Sequence, residues 1–178
     1  MYDRDLEHLY GLLGSRLFGK YRGLVKDNDD PLGCGRLEVT VPKVFGAQTI
    51  WAMPCVPVAG PKGAGLFAMP ELGTNVWIEF EAGERDYPIW TGCFWPEGAI
   101  DAADARPTVK FWRTDSFIIR IDDEAGELTI EKTDGGKLTI SATEVTAEAN
   151  SVVQNAGGKK TTLSASGLDV LDGALTVV

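Results

Sequence analysis

Acid–base and nucleophilic chemistry needs a histidine or an equivalent base within reach of a nucleophile, and this 178-residue chain holds one histidine, His8. It stands in a helix-forming N-terminal stretch and is read as structural or solvent-facing. With no second histidine there is no cluster for a metal. Three cysteines, Cys34, Cys55 and Cys93, cannot all pair within one chain, and their spacings fit no zinc pattern. They are read as small buried apolar residues. The segment Asp27 to Gly35, DNDDPLGCG, begins like a calcium loop, but Pro31 occupies the fifth position, where an oxygen ligand is required, and Leu32 stands where glycine belongs. It reads as a β-turn. Gly157-Gly158-Lys159-Lys160-Thr161 has the end of a phosphate-binding loop, yet Val153 sits where its first glycine would fall and no helix follows. Asp122, Asp123 and Glu124 lie in a turn signal, and Glu79, Glu81 and Glu84 along or just past a strand; both groups read as solvated faces. No catalytic, cofactor-binding or metal-binding residue is expected, and the chain is not read as an enzyme.

Binding by charge is disfavoured too. The formal net charge is −9, and nucleic-acid backbones and anionic lipids are held by clustered Lys and Arg that this chain lacks. Trp51, Trp77, Trp90 and Trp95 could stack bases if they shared one barrel face, but without a basic groove they read as packing residues. No run of eighteen apolar residues exists, and MYDRDLEHLYGLL is acidic where a signal peptide is basic. The chain is expected to begin life in a cytoplasm.

The elements that carry these residues divide the chain in four. Over residues 1–20 a short helix is expected, with Leu6, Leu9, Tyr10, Leu13 and Leu17 on one face and Asp3 as its cap. From residue 21 to 97 runs of alternating or β-rich sequence, YRGLVKD, RLEVTVP, IWAMPCVPVAG, GLFAMP, NVWIEFEAG and PIWTGCFW, predict about five strands in a small closed barrel. Gly60, Gly63 and Gly65 mark a tight exposed loop on its rim. Residues 98–116, rich in alanine and acidic side chains, read as a linker or collar.

Residues 117–178 are strand and turn throughout. Leu128 and Ile130 recur ten residues later as Leu138 and Ile140, with Glu127, Thr129, Glu131 and Lys137, Thr139, Ser141 on the other face. A plain antiparallel sheet is one reading, for which DDEAGE and TDGG are good turns. It leaves the Leu/Ile face bare, since no amphipathic helix is available to cover it. Three chains packed around a threefold axis would cover it, with Leu128, Ile130, Leu138, Ile140, Val145, Leu163, Leu168, Val170, Leu175 and Val177 as the shared core.

The series VKDNDDPLGCGRLEVTVP and MPELGTNVWIEFEAGERDYPIWTGCFW resembles the OB-fold domain of the central spike proteins of contractile phage tails, the baseplate assembly protein V family, and of the related VgrG and injection-system spikes. The likeness rests on Gly35-Arg36 opening a strand, the Pro70-Glu71-Leu72-Gly73 turn, Val76-x-Ile78-x-Phe80, and Pro88-Ile89-x-x-Gly92. It implies an all-β chain: an N-terminal short helix, an OB-fold barrel, then a C-terminal intertwined trimeric triple-stranded β-helix, a β-prism. It further implies a homotrimeric structural spike, without cofactor, that punctures a target cell envelope when the sheath contracts, after assembly in the host cytoplasm into the baseplate of a virion or injection particle. Only about twenty residues precede the barrel, so a separate hub protein is expected above it. Many spikes of this kind end in a His-x-His metal apex, absent here, so a separate tip-capping protein of the proline-alanine-alanine-arginine class is expected at Leu175 and Val177. The alternative is an OB-fold module binding nucleic acid or carbohydrate, with an adhesive β tail.

Overall fold

Val25, Leu37, Val39, Val41, Val76 and Ile78 occupy alternate positions of their segments, and each is at most 1% exposed. That period of two is what a half-buried strand requires. A computed structural model describes Gly11, Gly14, residues 16–171 and residues 173–177. The helix expected within residues 1–20, with His8, lies mostly outside the described residues; Gly11 and Gly14 are helical and residues 16–20 are not. Two units divide between Ala99 and Ile100.

In the first unit β1 (Tyr21–Asp27), β2 (Leu37–Thr40), β3 (Thr49–Pro54), β4 (Asn75–Phe80) and β5 (Pro88–Cys93) close a barrel in the order β1-β2-β3-β5-β4. Neighbours are antiparallel except β3 and β5, whose parallel pairing of Met53 with Ile89 and Pro54 with Trp90 completes the circle. A one-turn helix, α1 (Pro42–Phe45), bridges β2 and β3, with a proline in its first turn where no N–H is needed. Ala52, Phe80 and Trp90 join the six alternating residues in the core.

GLFAMP, expected as a strand, is loop. Apart from one isolated bridge between Ala59 and Gly65, residues 55–74 pair with no strand. Pro54, Pro57, Pro61 and Pro70 remove ladder donors through this stretch, and Leu66 and Phe67 are exposed. The loop closes on itself at Gly65, where an added Cβ would come within 2.6 Å of the Val58 carbonyl oxygen.

The second unit consists of two antiparallel meanders. The first runs in order through β6 (Val109–Arg113), β7 (Phe117–Asp122), β8 (Glu127–Lys132), β9 (Lys137–Ile140) and β10 (Val145–Glu148). The second contains β11 (Ser151–Ala156), β12 (Lys159–Ser164), β13 (Gly167–Val170) and β14 (Leu175–Val177). Strand β6 falls inside the stretch 98–116 read as linker; VKFWR pairs residue by residue with β7 from Val109 opposite Asp122 to Arg113 opposite Ile118. QNAGGKK, which from its glycines reads as a loop between strands, is mostly strand. Ala156 pairs with Lys159 and only Gly157 and Gly158 turn, both with positive φ (57° and 82°), as a two-residue hairpin of the primed type demands.

Candidate functional site

Residues directly opposite one another on antiparallel strands project to the same side of the sheet, so register sorts the second unit into faces. Ile121, Leu128, Ile140 and Val145 form one row across β7 to β10. Trp112, Ile119, Ile130, Leu138 and Ala147 form a second beside it, across β6 to β10. Phe117 shares their side by strand alternation. Of these, Trp112, Phe117, Ile119, Ile121, Ile130, Ile140 and Val145 are exposed. These side chains form an apolar face, bordered on the same side by Lys110 opposite Ile121 and by Lys132 opposite Phe117; exposed apolar patches often mark contact surfaces.

The other side of the same sheet mixes Val109, Phe111 and Ile118 with charged and hydroxyl side chains, and its β6–β7 end is ion-paired. Asp122, only 5% exposed, accepts bonds from Arg106 Nη2 at 2.9 Å, Arg120 Nη2 at 3.0 Å and the backbone N–H groups of Glu124 and Ala125. Asp104 accepts from Arg113 at 2.7 Å and Arg120 at 3.1 Å. Asp122 had read as solvated; it is instead the hub of this cluster. The Ala125 N–H, then Arg120 and Arg106, hold its carboxyl below the usual range, and Asp104 and then Asp122 raise Arg120. The segment 100–108 thus has its ionic partners on the polar side, and Trp112, Ile119 and Ile130 on the apolar side are exposed.

The second meander repeats the asymmetry more weakly. Val152, Leu163, Leu168 and Val177 form one row, and Gln154, Thr161, Val170 and Leu175 the next. The ten residues expected as a shared core therefore fall on two surfaces. Leu128, Ile130, Leu138, Ile140 and Val145 lie on one side of the first sheet, and Leu163, Leu168, Val170, Leu175 and Val177 on one side of the second. Sequence reasoning missed Trp112, Phe117, Ile119, Ile121 and Val152, although the alternation of FIIRI around Arg120 carried the signal.

On the barrel, Asp30 organises the turn that opens β2. Its carboxylate accepts from the backbone N–H of Leu32 (3.0 Å), Cys34 (2.8 Å) and Arg36 (3.1 Å), and from Arg36 Nε (2.9 Å) and Nη2 (2.7 Å). Only 3% of the Asp30 side chain is exposed. The Arg36 guanidinium in particular, with these N–H groups, holds the carboxyl far below its ordinary range. Both Asp30 carboxylate oxygens are thus directed at the turn itself. Trp90 ties the same turn to the core, its indole N–H donating to the Gly35 carbonyl at 3.1 Å. Residues 21–95 match the family described as the type VI secretion system/phage-baseplate injector OB domain. The barrel belongs to this family. No curated protein matches the chain.

The injector barrel agrees with the resemblance drawn from Gly35-Arg36, the Pro70–Gly73 turn and the Val76, Ile78, Phe80 strand, all inside the matched span. Its tryptophans form no stacking row. Trp90 is in the core, Trp51 lies under the Arg36 guanidinium (5.0 Å), and Trp77 packs on Phe94 beneath Arg22. Trp95 is 66% exposed beyond β5. The barrel's apolar cleft, about 270 Å³ between the 55–69 loop and Trp90, has no charged side chain in its lining. The cysteines correct an expectation: all three are exposed rather than buried. Cys34 belongs to the Asp30 turn, Cys55 lies beyond β3, and Cys93 ends β5, where partial burial still pushes its thiol up. Glu79 pairs with Lys20 at 2.7 Å and Glu84 with Arg16. Gly60, Gly63 and Gly65 are exposed, as the rim-loop reading required.

Proposed function

We propose that this chain is the central spike of a contractile tail baseplate, formed by three copies whose second units close their apolar faces around one axis. A structural baseplate role follows from the injector OB family of residues 21–95. The observation that carries the finer reading is the pair of rows from Trp112 and Ile121 to Ala147 and Val145. The Trp112 row is apolar across five strands and the Ile121 row across four, ending beside Lys110 on β6; most of their side chains are exposed, while the opposite side carries the ion pairs of Asp104 and Asp122.

A face of this kind needs a partner, and identical copies are the economical one, because each supplies the surface the others lack. The closed prism would be stiff, and its outward side, with Thr129, Thr139, Glu131 and Lys137, would present polar groups to a target envelope as sheath contraction drives it in. In this reading the barrel adapts the shaft to a hub subunit, a further subunit caps the Leu175 and Val177 region, and assembly takes place in the host cytoplasm. The nucleic-acid or carbohydrate-binding alternative loses its platform with the engaged tryptophans and the uncharged cleft.

Sedimentation or native mass measurement of the purified chain tests this. A species of three times 19.2 kDa that resists detergent without heating is expected. A monomer at micromolar concentration overturns the reading.

A further inference from the structure

We propose that Gln154 and Thr161 form a polar layer that fixes the strand register of the three-chain shaft; the proposal rests on the trimeric reading above. The two residues face each other across β11 and β12, in the row that continues through Val170 and Leu175. Beside them runs the wholly apolar row of Val152, Leu163, Leu168 and Val177. In the first sheet the rows from Trp112 and from Ile121 carry no amide or hydroxyl. One amide and one hydroxyl therefore interrupt the apolar rows of the second sheet, next to the row of Ala156 and Lys159 at the end of the hairpin.

Closing that face against two other copies removes water from it. The amide of Gln154 then offers two donors and an acceptor, and Thr161 one donor and an acceptor, to the equivalent groups of the neighbouring chains. Threefold symmetry lets every amide give and receive in the same way. Misalignment by two residues or by one strand instead sets Gln154 against Val152, Leu163 or Val170 and leaves three amides unpaired. Each unpaired amide disfavours such an alignment about tenfold or more. The apolar rows alone discriminate poorly, because Leu, Ile and Val exchange for one another at similar volume. Single-residue slips are already excluded by the face reversal they cause. A lone buried polar residue is the best-attested device for choosing among the remaining registers.

The test compares the full chain with Gln154→Ala, Thr161→Ala and the double variant Gln154→Leu/Thr161→Val. Mass, unfolding rate in denaturant, and hydrogen–deuterium exchange of peptides spanning residues 151–170 are the readouts. Each single variant is expected to unfold about tenfold faster than the parent trimer. The apolar double variant is expected to unfold no faster than the parent, while its exchange envelopes split into more than one population. Trimers that all unfold at the parental rate with a single envelope overturn the register role and leave the trimer standing. A monomeric parent chain overturns both.

Discussion

The barrel and the second unit are built from strands of similar length and the same alternation, yet only the barrel covers its own apolar side. Connections make the difference. Between β3 and β4 the barrel spends residues 55–74 on a crossover that lets β5 pair in parallel with β3, and closure leaves Val39, Val76 and Ile78 at 0% exposure. The second unit turns back after every strand. Its short hairpins build a meander that has no route around to a second layer, so Ile130 and Ile140 remain 38% and 41% exposed. Burial is decided by topology as much as by composition.

The largest effect should come from charge on the open face. Ile130 and Thr129 are sequence neighbours on opposite sides of β8. In the proposed trimer, Ile130→Asp would place an unpaired carboxylate from each copy in the closed core, a cost on the order of 3–5 kcal/mol per site by analogy with stranded buried charges. Loss of the trimer by sedimentation is expected, with barrel fluorescence unchanged. Thr129→Asp on the polar side should leave the mass as it was. If the two variants behave alike, the contrast between the faces fails.

Next in size is truncation inside the barrel. Ile78→Ala removes a fully buried side chain and should cost about 2–5 kcal/mol. Because that core is complete within one chain, the loss in the barrel's own transition should not vary with protein concentration, whereas unfolding of the shaft should. Chemical denaturation at two concentrations separates them. A concentration-dependent barrel transition would show that the barrel too borrows cover from its neighbours.

What could be read before the fold was known follows the same division. Val39, Val41, Ile78 and the Leu128/Ile130 and Leu138/Ile140 pairs were legible because a period of two needs no tertiary knowledge. A break between strands was legible around Gly157-Gly158, but it reads as a loop over QNAGGKK, since the width of a primed hairpin depends on register. GLFAMP was misread because its apolar composition outweighed the prolines around it. The ion cluster escaped entirely. Asp104, Arg106, Arg113, Arg120 and Asp122 come together only when β6 pairs with β7, and β6 itself lay hidden behind the alanine-rich, acidic stretch before it. The cysteines were assigned by a rule about their average burial, which says nothing about a residue in a turn.

The smallest effect, and the one that sharpens how the barrel fastens its connections, is at Asp30. Asn in its place keeps one oxygen, for the Leu32 N–H bound at Oδ1 or for the Cys34 and Arg36 N–H groups bound at Oδ2, and loses the charge that holds Arg36, which in turn lies over Trp51. The sign of the pH dependence is fixed by the lowered pKa of Asp30, caused first by Arg36. In the unfolded chain an aspartate titrates near 3.9. The stabilisation from the folded carboxylate is therefore complete above about pH 4 and is lost progressively as the pH falls towards the lowered value. Asp122 is depressed as well, through Ala125 and then its arginines, so acid should weaken both units in the same sense. Asp30→Asn is expected to destabilise the barrel most at neutral pH, with the gap to the parent chain narrowing below pH 4. Trp90 fluorescence during denaturant unfolding is a suitable probe, because its indole is bonded to Gly35 in the same turn. A gap that stays constant into acid would mean that shape, rather than charge, holds the turn, and the barrel would then owe its closed state to packing alone.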